Sequence, residues 1–258
     1  VSRDWSSDVC SSDLKNKMKL LIMLLLASTL VNAQTLPDYA KEKRWAQQIE
    51  DGLMDGDVVW LTANDHEFMS IYTPSETDTQ KTAVIVHGLG VHPDWQQVIQ
   101  PVRVALTTQG FNTLSIQMPV LDNEAHAGAY RAVFPQADLR IQAAADYLHQ
   151  NDLIANVLIA HSLGSVMSTH YLANNKHPFN RFVGIGMPGD NAQYLSKLTI
   201  PVLDLYGDED IVSVLDSVQT RAQAAKDNAN YTQKMVTADH FFNDRDELLI
   251  ESVDTWLK

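Results

Sequence analysis

Ser162 has the sequence surroundings of a catalytic nucleophile. It follows a short apolar run at residues 157–159 and stands between two small residues, Ala160 and Gly164. A serine at a tight strand-to-helix turn exposes its hydroxyl, and side chains larger than methyl at these two flanks would clash. The segment departs from the G-x-S-x-G pattern only at Ala160, which is small enough to fit. The alternative is an ordinary turn whose serine caps the following helix.

A serine hydroxyl is a poor nucleophile at neutral pH unless a base accepts its proton and an acid orients that base. After a nucleophile at such a turn, the acid comes next along the chain and a histidine comes last. His240 is the last histidine of the chain and follows an apolar run at residues 233–236. We therefore predict that His240 is the base. The alternative is a loop histidine that packs beside Phe241 and Phe242.

The acid must lie between the serine and the histidine. Asp208, Glu209 and Asp210 compete for the role directly after the apolar run at residues 202–206. A carboxylate just past the end of a parallel strand lies at the edge where such sheets bind ligands. The spacing after Gly207 favours Asp210, and Asp208 is the second choice. Two further aspartates are weaker candidates, because one lies inside the run and the other precedes the histidine as a local cap, namely Asp204 and Asp239.

Acyl transfer also requires N–H donors for the negative oxygen of its transition state. One expected donor is the backbone N–H of Leu163, which follows the nucleophile. The second is expected from the loop at residues 87–90, where glycines allow the backbone to turn inward, and we predict the N–H of Leu89. His87 is expected to brace this loop.

Candidate contacts to a substrate surround these turns: His87, Gly88, His92 and His161. His92 begins the segment His-Pro-Asp-Trp, which either lines the mouth of a pocket or starts a helix with Trp95 as its packing anchor. Gln117 and the two residues after it are expected to add pocket wall. The nine histidines are scattered and no H-E-x-x-H or Cys/His cluster occurs, so no metal site and no cofactor are predicted.

The pattern of elements predicts a sheet that would bring these residues together. Two alternating segments, residues 58–63 and 67–72, predict an antiparallel hairpin. Continuous apolar runs then alternate with amphipathic stretches, which indicates an α/β fold whose mostly parallel sheet carries helices on both faces. The runs lie at residues 83–86, 113–116, 157–159, 182–185, 202–206 and 233–236, and the amphipathic stretches at residues 39–52, 95–109, 130–150, 165–174, 212–227 and 246–257. Residues 188–200 leave room for only a minimal lid with one short helix at 191–197.

With these motifs the chain resembles the α/β-hydrolase superfamily. More narrowly, it resembles the bacterial domain-of-unknown-function 3530 family, through His92-Pro93-Asp94-Trp95, the segment GFNTLSIQMP at residues 110–119 and the run at residues 200–206. The resemblance implies an exported or periplasmic hydrolase fold whose substrate is not established.

The first 33 residues are interpreted as lying outside the folded domain. Residues 1–17 are interpreted as a cloning or adapter artefact and residues 18–33 as a signal peptide cleaved after Ala33. The alternative is a membrane anchor, but the apolar run at residues 20–30 is shorter than the roughly 20 residues that a bilayer requires. Residues 34–258 are then expected to form a single α/β-hydrolase domain that is periplasmic or secreted, without stable membrane insertion.

Composition limits the partners. The formal net charge is −13, which argues against nucleic acid and anionic lipid surfaces as partners. The expected partner is a small-molecule acyl substrate. The single cysteine, Cys10, lies in the N-terminal segment, so the folded domain is expected to be stable without disulfides.

Two classes of function remain open. The first is a serine hydrolase that cleaves an ester or a related acyl bond through an acyl-enzyme. The second is a catalytically silent protein of the same fold that binds a ligand in the cell envelope, since fold alone does not fix function. A lipase acting at a lipid surface would need a large apolar flap. The segment at residues 188–200 is too short to form such a flap.

Overall fold

The computed structural model describes Val1 and residues 37–258. The predicted signal peptide and, apart from Val1, the predicted adapter lie outside the described residues. The strands are β1 (Asp57–Ala63), β2 (His66–Thr73), β3 (Lys81–Val86), β4 (Asn112–Ile116), β5 (Ile154–His161), β6 (Arg181–Ile185), β7 (Val202–Glu209) and β8 (Tyr231–Asp239). The helices are α1 (Tyr39–Gly52), α2 (Ile99–Thr108), α3 (Phe134–Gln150), α4 (Leu163–Asn174), α5 (Ala192–Leu195), α6 (Val212–Leu215), α7 (Val218–Ala224) and α8 (Asp246–Leu257). Short 3₁₀ turns cover Ala127–Val133 and Gly189–Asn191.

The strands described here form one mixed sheet in the order β1-β2-β4-β3-β5-β6-β7-β8. β1 and β2 form the predicted antiparallel hairpin, and β2 also pairs antiparallel with β4. Every pair from β4 to β8 is parallel. The hairpin turn has positive φ at Asn64 (49°) and Asp65 (61°), residue types that tolerate this region in a two-residue turn. The predicted α/β-hydrolase fold class is confirmed.

Helices cover both faces of the central parallel strands, which is why β3, β5 and β6 are mostly apolar, whereas the edge strand β8 is partly exposed. Along β3, Val84 and Val86 belong to a core that includes residues of α3 and α4, such as Ile141. Ala83 and Ile85 belong to a second core that includes residues of α2 and α8. The alternation of side chains along a strand thus distributes one apolar run between two cores.

Three predicted helices differ from the observed ones. The stretch predicted from residue 130 is a 3₁₀ turn up to Val133, and α3 begins at Phe134. The helix predicted over residues 95–109 begins at Ile99, because Val98 takes a positive φ of 64° that no helix continues through. The stretch at residues 212–227 forms two short helices separated at Ser217, whose hydroxyl bonds to the Ser213 and Val214 carbonyls. Within residues 188–200 the structure has one 3₁₀ turn and the four-residue α5, in agreement with a minimal lid.

Within residues 37–258, no helix combines the length and the apolar character needed to cross a membrane.

Candidate active site

Ser162 occupies a strained turn between β5 and α4. Its backbone has φ 52° and ψ −124°, a conformation that non-glycine residues rarely adopt. The crowding that the sequence suggested is present at Gly164, where an added Cβ would lie 2.2 Å from the carbonyl oxygen of His87. Ala160 is fully buried on the other flank. The turn therefore holds the Ser162 side chain at the carboxyl edge of the sheet.

The structure brings Ser162, His240 and Asp210 together. His240 Nε2 lies 2.9 Å from Ser162 Oγ, and His240 Nδ1 lies 2.5 Å from Asp210 Oδ1. The Asp210 carboxylate also accepts backbone N–H bonds from Ile211 (2.8 Å) and Gly207 (3.3 Å), which fix its orientation. With Nδ1–H donating to Asp210, Nε2 is left as the acceptor for the serine hydroxyl proton.

The competing carboxylates have other partners. Asp208, the second choice from sequence, accepts the backbone N–H of Ala238 at 3.1 Å. Asp204 is buried in β7, where the Arg221 guanidinium donates to it at 2.8 Å. Asp239 accepts N–H bonds within its own loop, as a cap does. Of these carboxylates, the structure places Asp210 against the histidine.

Two residues hold His240 in place from behind. Gly186 has a φ of 58°, and a Cβ there would lie 2.9 Å from His240 Nδ1 and 3.4 Å from Asp210 Oδ2. His161 Nε2 donates to the His240 carbonyl oxygen at 2.9 Å. Burial lowers the pKa of His161 to about 4, so this ring is neutral at pH 7. His161, predicted as a substrate contact, is thus buried against the backbone of His240.

The loop at residues 87–90 passes directly beside the nucleophile. A Cβ on Gly88 would lie 3.2 Å from the Cβ of Ser162, so only glycine allows this approach without displacement. Leu163 is the first residue of α4, and its backbone N–H has no partner within the helix. The side chain of Leu89 is 41% exposed at the mouth of the site. The structure thus gathers the segments predicted to supply the two N–H donors.

His87 braces this loop through both ring nitrogens. Its Nδ1 lies 2.9 Å from the Gly88 carbonyl oxygen, which can only accept. Nε2 therefore accepts, from the Met118 backbone N–H at 2.9 Å and from Gln117 Nε2 at 3.0 Å. Burial lowers the pKa of His87 to about 3, which keeps the ring neutral in this arrangement.

A buried ion pair extends the brace to α1. Arg140 donates to the Gln117 carbonyl at 3.0 Å and to Glu42 Oε2 at 2.9 Å, and both side chains are nearly inaccessible. Glu42 and Arg140 were missed by sequence reasoning, because a pair separated by 98 positions leaves no local pattern.

The His-Pro-Asp-Trp segment makes contacts that stabilise the fold. The His92 ring lies between Trp45 (5.6 Å between centroids) and Trp95 (5.4 Å), and burial lowers the pKa of His92. Asp94 accepts from the fully buried Arg103 at 2.5 Å. The described contacts of His92 are with these neighbours and not with Ser162, and its predicted contact with a substrate stays a prediction.

No group of three or more His, Cys, Asp or Glu side chains within residues 37–258 is placed to hold a metal ion.

Comparison with known proteins places the chain in a family. The family described as "Protein of unknown function (DUF3530)" matches residues 20–139 and 130–258. No curated protein matches the sequence.

Several solved structures share the fold at low sequence identity. Est1E from Butyrivibrio proteoclasticus is 15% identical with a TM-score of 0.63, and the alignment covers 78% of this chain and 97% of that chain. The Pyrococcus furiosus esterase Pf2001 is 16% identical with a TM-score of 0.66, over 81% of this chain and 94% of that chain. An alpha-beta serine hydrolase homologue from Coxiella burnetii is 16% identical with a TM-score of 0.60, over 78% and 99%. At these identities the likeness shows the α/β-hydrolase fold.

Proposed function

The chain belongs to the DUF3530 family, and we propose that it is an exported serine hydrolase that cleaves a carboxylic ester or a related acyl bond. The observation that carries this proposal is the continuous hydrogen-bonded chain from Ser162 Oγ through His240 to the buried Asp210. Nucleophile, base and orienting acid stand in the order and at the distances that an activated serine requires. The proposed substrate is a small acyl compound that enters from the open edge of the sheet.

The proposed reaction proceeds through an acyl-enzyme. Ser162 Oγ attacks the carbonyl carbon while its proton moves to His240 Nε2, and the carbonyl oxygen becomes negative. The backbone N–H groups of Leu89 and Leu163 donate to that oxygen. The C–O bond to the alcohol then breaks, and His240 returns its proton to the leaving alcohol.

Water completes the cycle by the same route. It loses a proton to His240 Nε2 as it attacks the acyl carbon, and the acid leaves when Ser162 Oγ recovers that proton. Asp210 keeps its charge throughout and stabilises the imidazolium that forms in each half. The strained turn fixes Ser162 Oγ in position before the substrate binds, so this atom loses no further orientational freedom during the reaction.

The test is hydrolysis of a series of p-nitrophenyl esters from acetate to octanoate. We expect turnover of at least one ester, and a rate in Ser162→Ala lower by about 10⁶-fold or at background. Ser213→Ala changes an exposed serine of α6 and serves as the control, with an unchanged rate. Equal turnover in Ser162→Ala would contradict the proposed role of this serine.

A further inference from the structure

A second cavity lies on the hairpin side of the sheet, apart from Ser162. Its volume is about 500 Å³, and α1, the β1–β2 hairpin and Gln117 enclose it. Its lining includes the side chains of Tyr39, Glu42, Trp60, His66 and Gln117. Neither the residues of the Ser162–His240–Asp210 group nor those of the loop at 87–90 line this cavity.

The strand register gives its distance from the nucleophile. Val86 of β3 pairs with Ile116 of β4 on one side and with Ala160 of β5 on the other. Gln117 therefore lies just past the end of β4, two strands away from the turn that carries Ser162. At about 4.8 Å between neighbouring strands, this separation is roughly 10 Å. The cavity is thus a separate site on the same edge of the sheet.

The amide of Gln117 has an unused acceptor. Its Nε2 lies 2.8 Å from the Met118 carbonyl oxygen and 3.0 Å from His87 Nε2, which fixes the orientation of the amide. Among residues 37–258 no group donates to Gln117 Oε1, and this oxygen is not among the described side-chain atoms that are both closed off from solvent and unpaired. Because Gln117 lines the cavity, this free acceptor is available to a ligand that carries a donor.

The cavity walls combine flat rings with negative charge. Tyr39 and His66 stack with their ring centroids 3.8 Å apart, and Trp60 is 47% exposed at the rim. Glu42 is a second acceptor on the wall, and its carboxylate already accepts from Arg140. Flat rings suit an aromatic ligand, and the two lining carboxylates of Glu42 and Glu67 outnumber the single lining ammonium group of Lys43, which disfavours an anionic ligand.

We propose that this cavity is a second ligand site, for a small uncharged aromatic molecule that donates an O–H or N–H hydrogen bond to Gln117 Oε1. The site does not depend on the proposed hydrolase activity, because it shares no lining residue with Ser162 and His240. A phenol is the smallest molecule that meets both requirements.

The test is a calorimetric titration of the Ser162→Ala protein with three ligands of similar size: phenol, anisole and benzoate. Using this variant separates the result from catalysis. Phenol is expected to bind with a dissociation constant on the order of 1 mM, as suits a ligand of its size. Anisole keeps the ring but lacks the donor, so it should bind about three- to tenfold more weakly, and benzoate more weakly than anisole. Equal binding of phenol and anisole would overturn the proposal.

Variants in the same background locate the bound phenol. Gln117→Met should remove the advantage of phenol over anisole, and Ala46→Leu should fill the cavity and weaken both ligands. Trp60→Ala removes the exposed rim and tests the site even where Ala46→Leu does not fold. Met235→Ala, at an exposed position on β8, is the control and should leave phenol binding unchanged. Phenol binding that survives both Trp60→Ala and Gln117→Met would place the ligand elsewhere and reject this site.

Discussion

At the scale of single residues, the two ring nitrogens of His240 have separate tasks. Nδ1 donates to Asp210, whose side chain is fully buried, and Nε2 faces Ser162 Oγ. Three donors surround the Asp210 carboxylate when His240 is counted with Ile211 and Gly207. In the proposed reaction this carboxylate sets the tautomer of His240 and stabilises the imidazolium that forms.

Replacing Asp210 should separate orientation from chemistry. Asp210→Asn keeps the size of the side chain but offers an N–H in place of an acceptor, which favours the wrong tautomer of His240. We expect kcat for ester hydrolysis to fall by about 10⁴-fold with the fold retained. Asp208→Asn is the matched control, since Asp208 bonds to the Ala238 backbone, and kcat should stay within a few-fold. A larger loss in Asp208→Asn would reverse the assignment of the acid.

Sequence could predict the nucleophile and the base more readily than the acid. Ser162 and His240 each stand alone in a strong local context, whereas Asp208 and Asp210 are two positions apart at the end of β7. The pairing of β7 with β8 shifts register between Gly207 and Glu209, next to the two candidate carboxylates. No residue type in the sequence predicts this shift. The close approach of Gly186 to His240 was equally hidden, because it depends on how β6 and β8 come together in three dimensions.

At the scale of elements, the start of α4 and the loop at residues 87–90 lock each other in place. Gly164 is the contact point, since the His87 carbonyl oxygen occupies the space that a Cβ would take. Because the loop also carries the predicted Leu89 donor, a displacement at Gly164 moves one N–H away from the reacting oxygen.

A methyl group at this contact should therefore reduce both catalysis and stability. For Gly164→Ala we expect kcat to fall by about 10²-fold, the cost of losing one oxyanion donor, and stability to fall by about 1–3 kcal/mol. Gly52→Ala is the control, because nothing lies within 4 Å of the added carbon at the end of α1. Ester kinetics and urea unfolding measure the two effects, and full activity in Gly164→Ala would argue against this coupling.

Sequence periodicity alone does not predict where a helix begins. The amphipathic pattern from residue 95 onward continues through a segment that the structure leaves outside α2. The side chain of Trp95 bonds to Gln97, and Val98 turns with positive φ, so the helix cannot start before Ile99. Apolar runs, in contrast, identified the central parallel strands, since burial on both faces requires apolar residues at successive positions.

At the scale of the whole molecule, two buried histidines link folding to pH. Burial lowers the pKa of His87 to about 3 and that of His161 to about 4, whereas an unfolded chain has a histidine pKa near 6.5. Below pH 6.5 the unfolded state binds more protons than the folded state, so acid favours unfolding. The stability that these neutral rings contribute is complete above pH 6.5 and declines as the pH falls toward 4.

This linkage predicts a measurable slope. Between pH 6 and pH 5 the free energy of unfolding should fall with decreasing pH by up to about 1.4 kcal/mol per pH unit for each of the two histidines. His87→Gln should reduce the slope by close to one proton, while His126→Gln, at an exposed position, should leave it unchanged. Urea unfolding at a series of pH values measures both slopes. A flat profile in the unaltered protein would show that these rings are not held neutral.

The role of Ser162 as an activated nucleophile is tested most directly by labelling the purified protein with a fluorophosphonate probe. Mass spectrometry then locates the site of the adduct. The probe reacts only with an activated serine, so it tests the nucleophile without knowledge of the substrate. We predict one adduct, on Ser162, which disappears in Ser162→Ala and is strongly reduced in His240→Ala. Absence of any adduct on the folded protein, or an adduct on another serine, would contradict the assignment of Ser162 as the nucleophile.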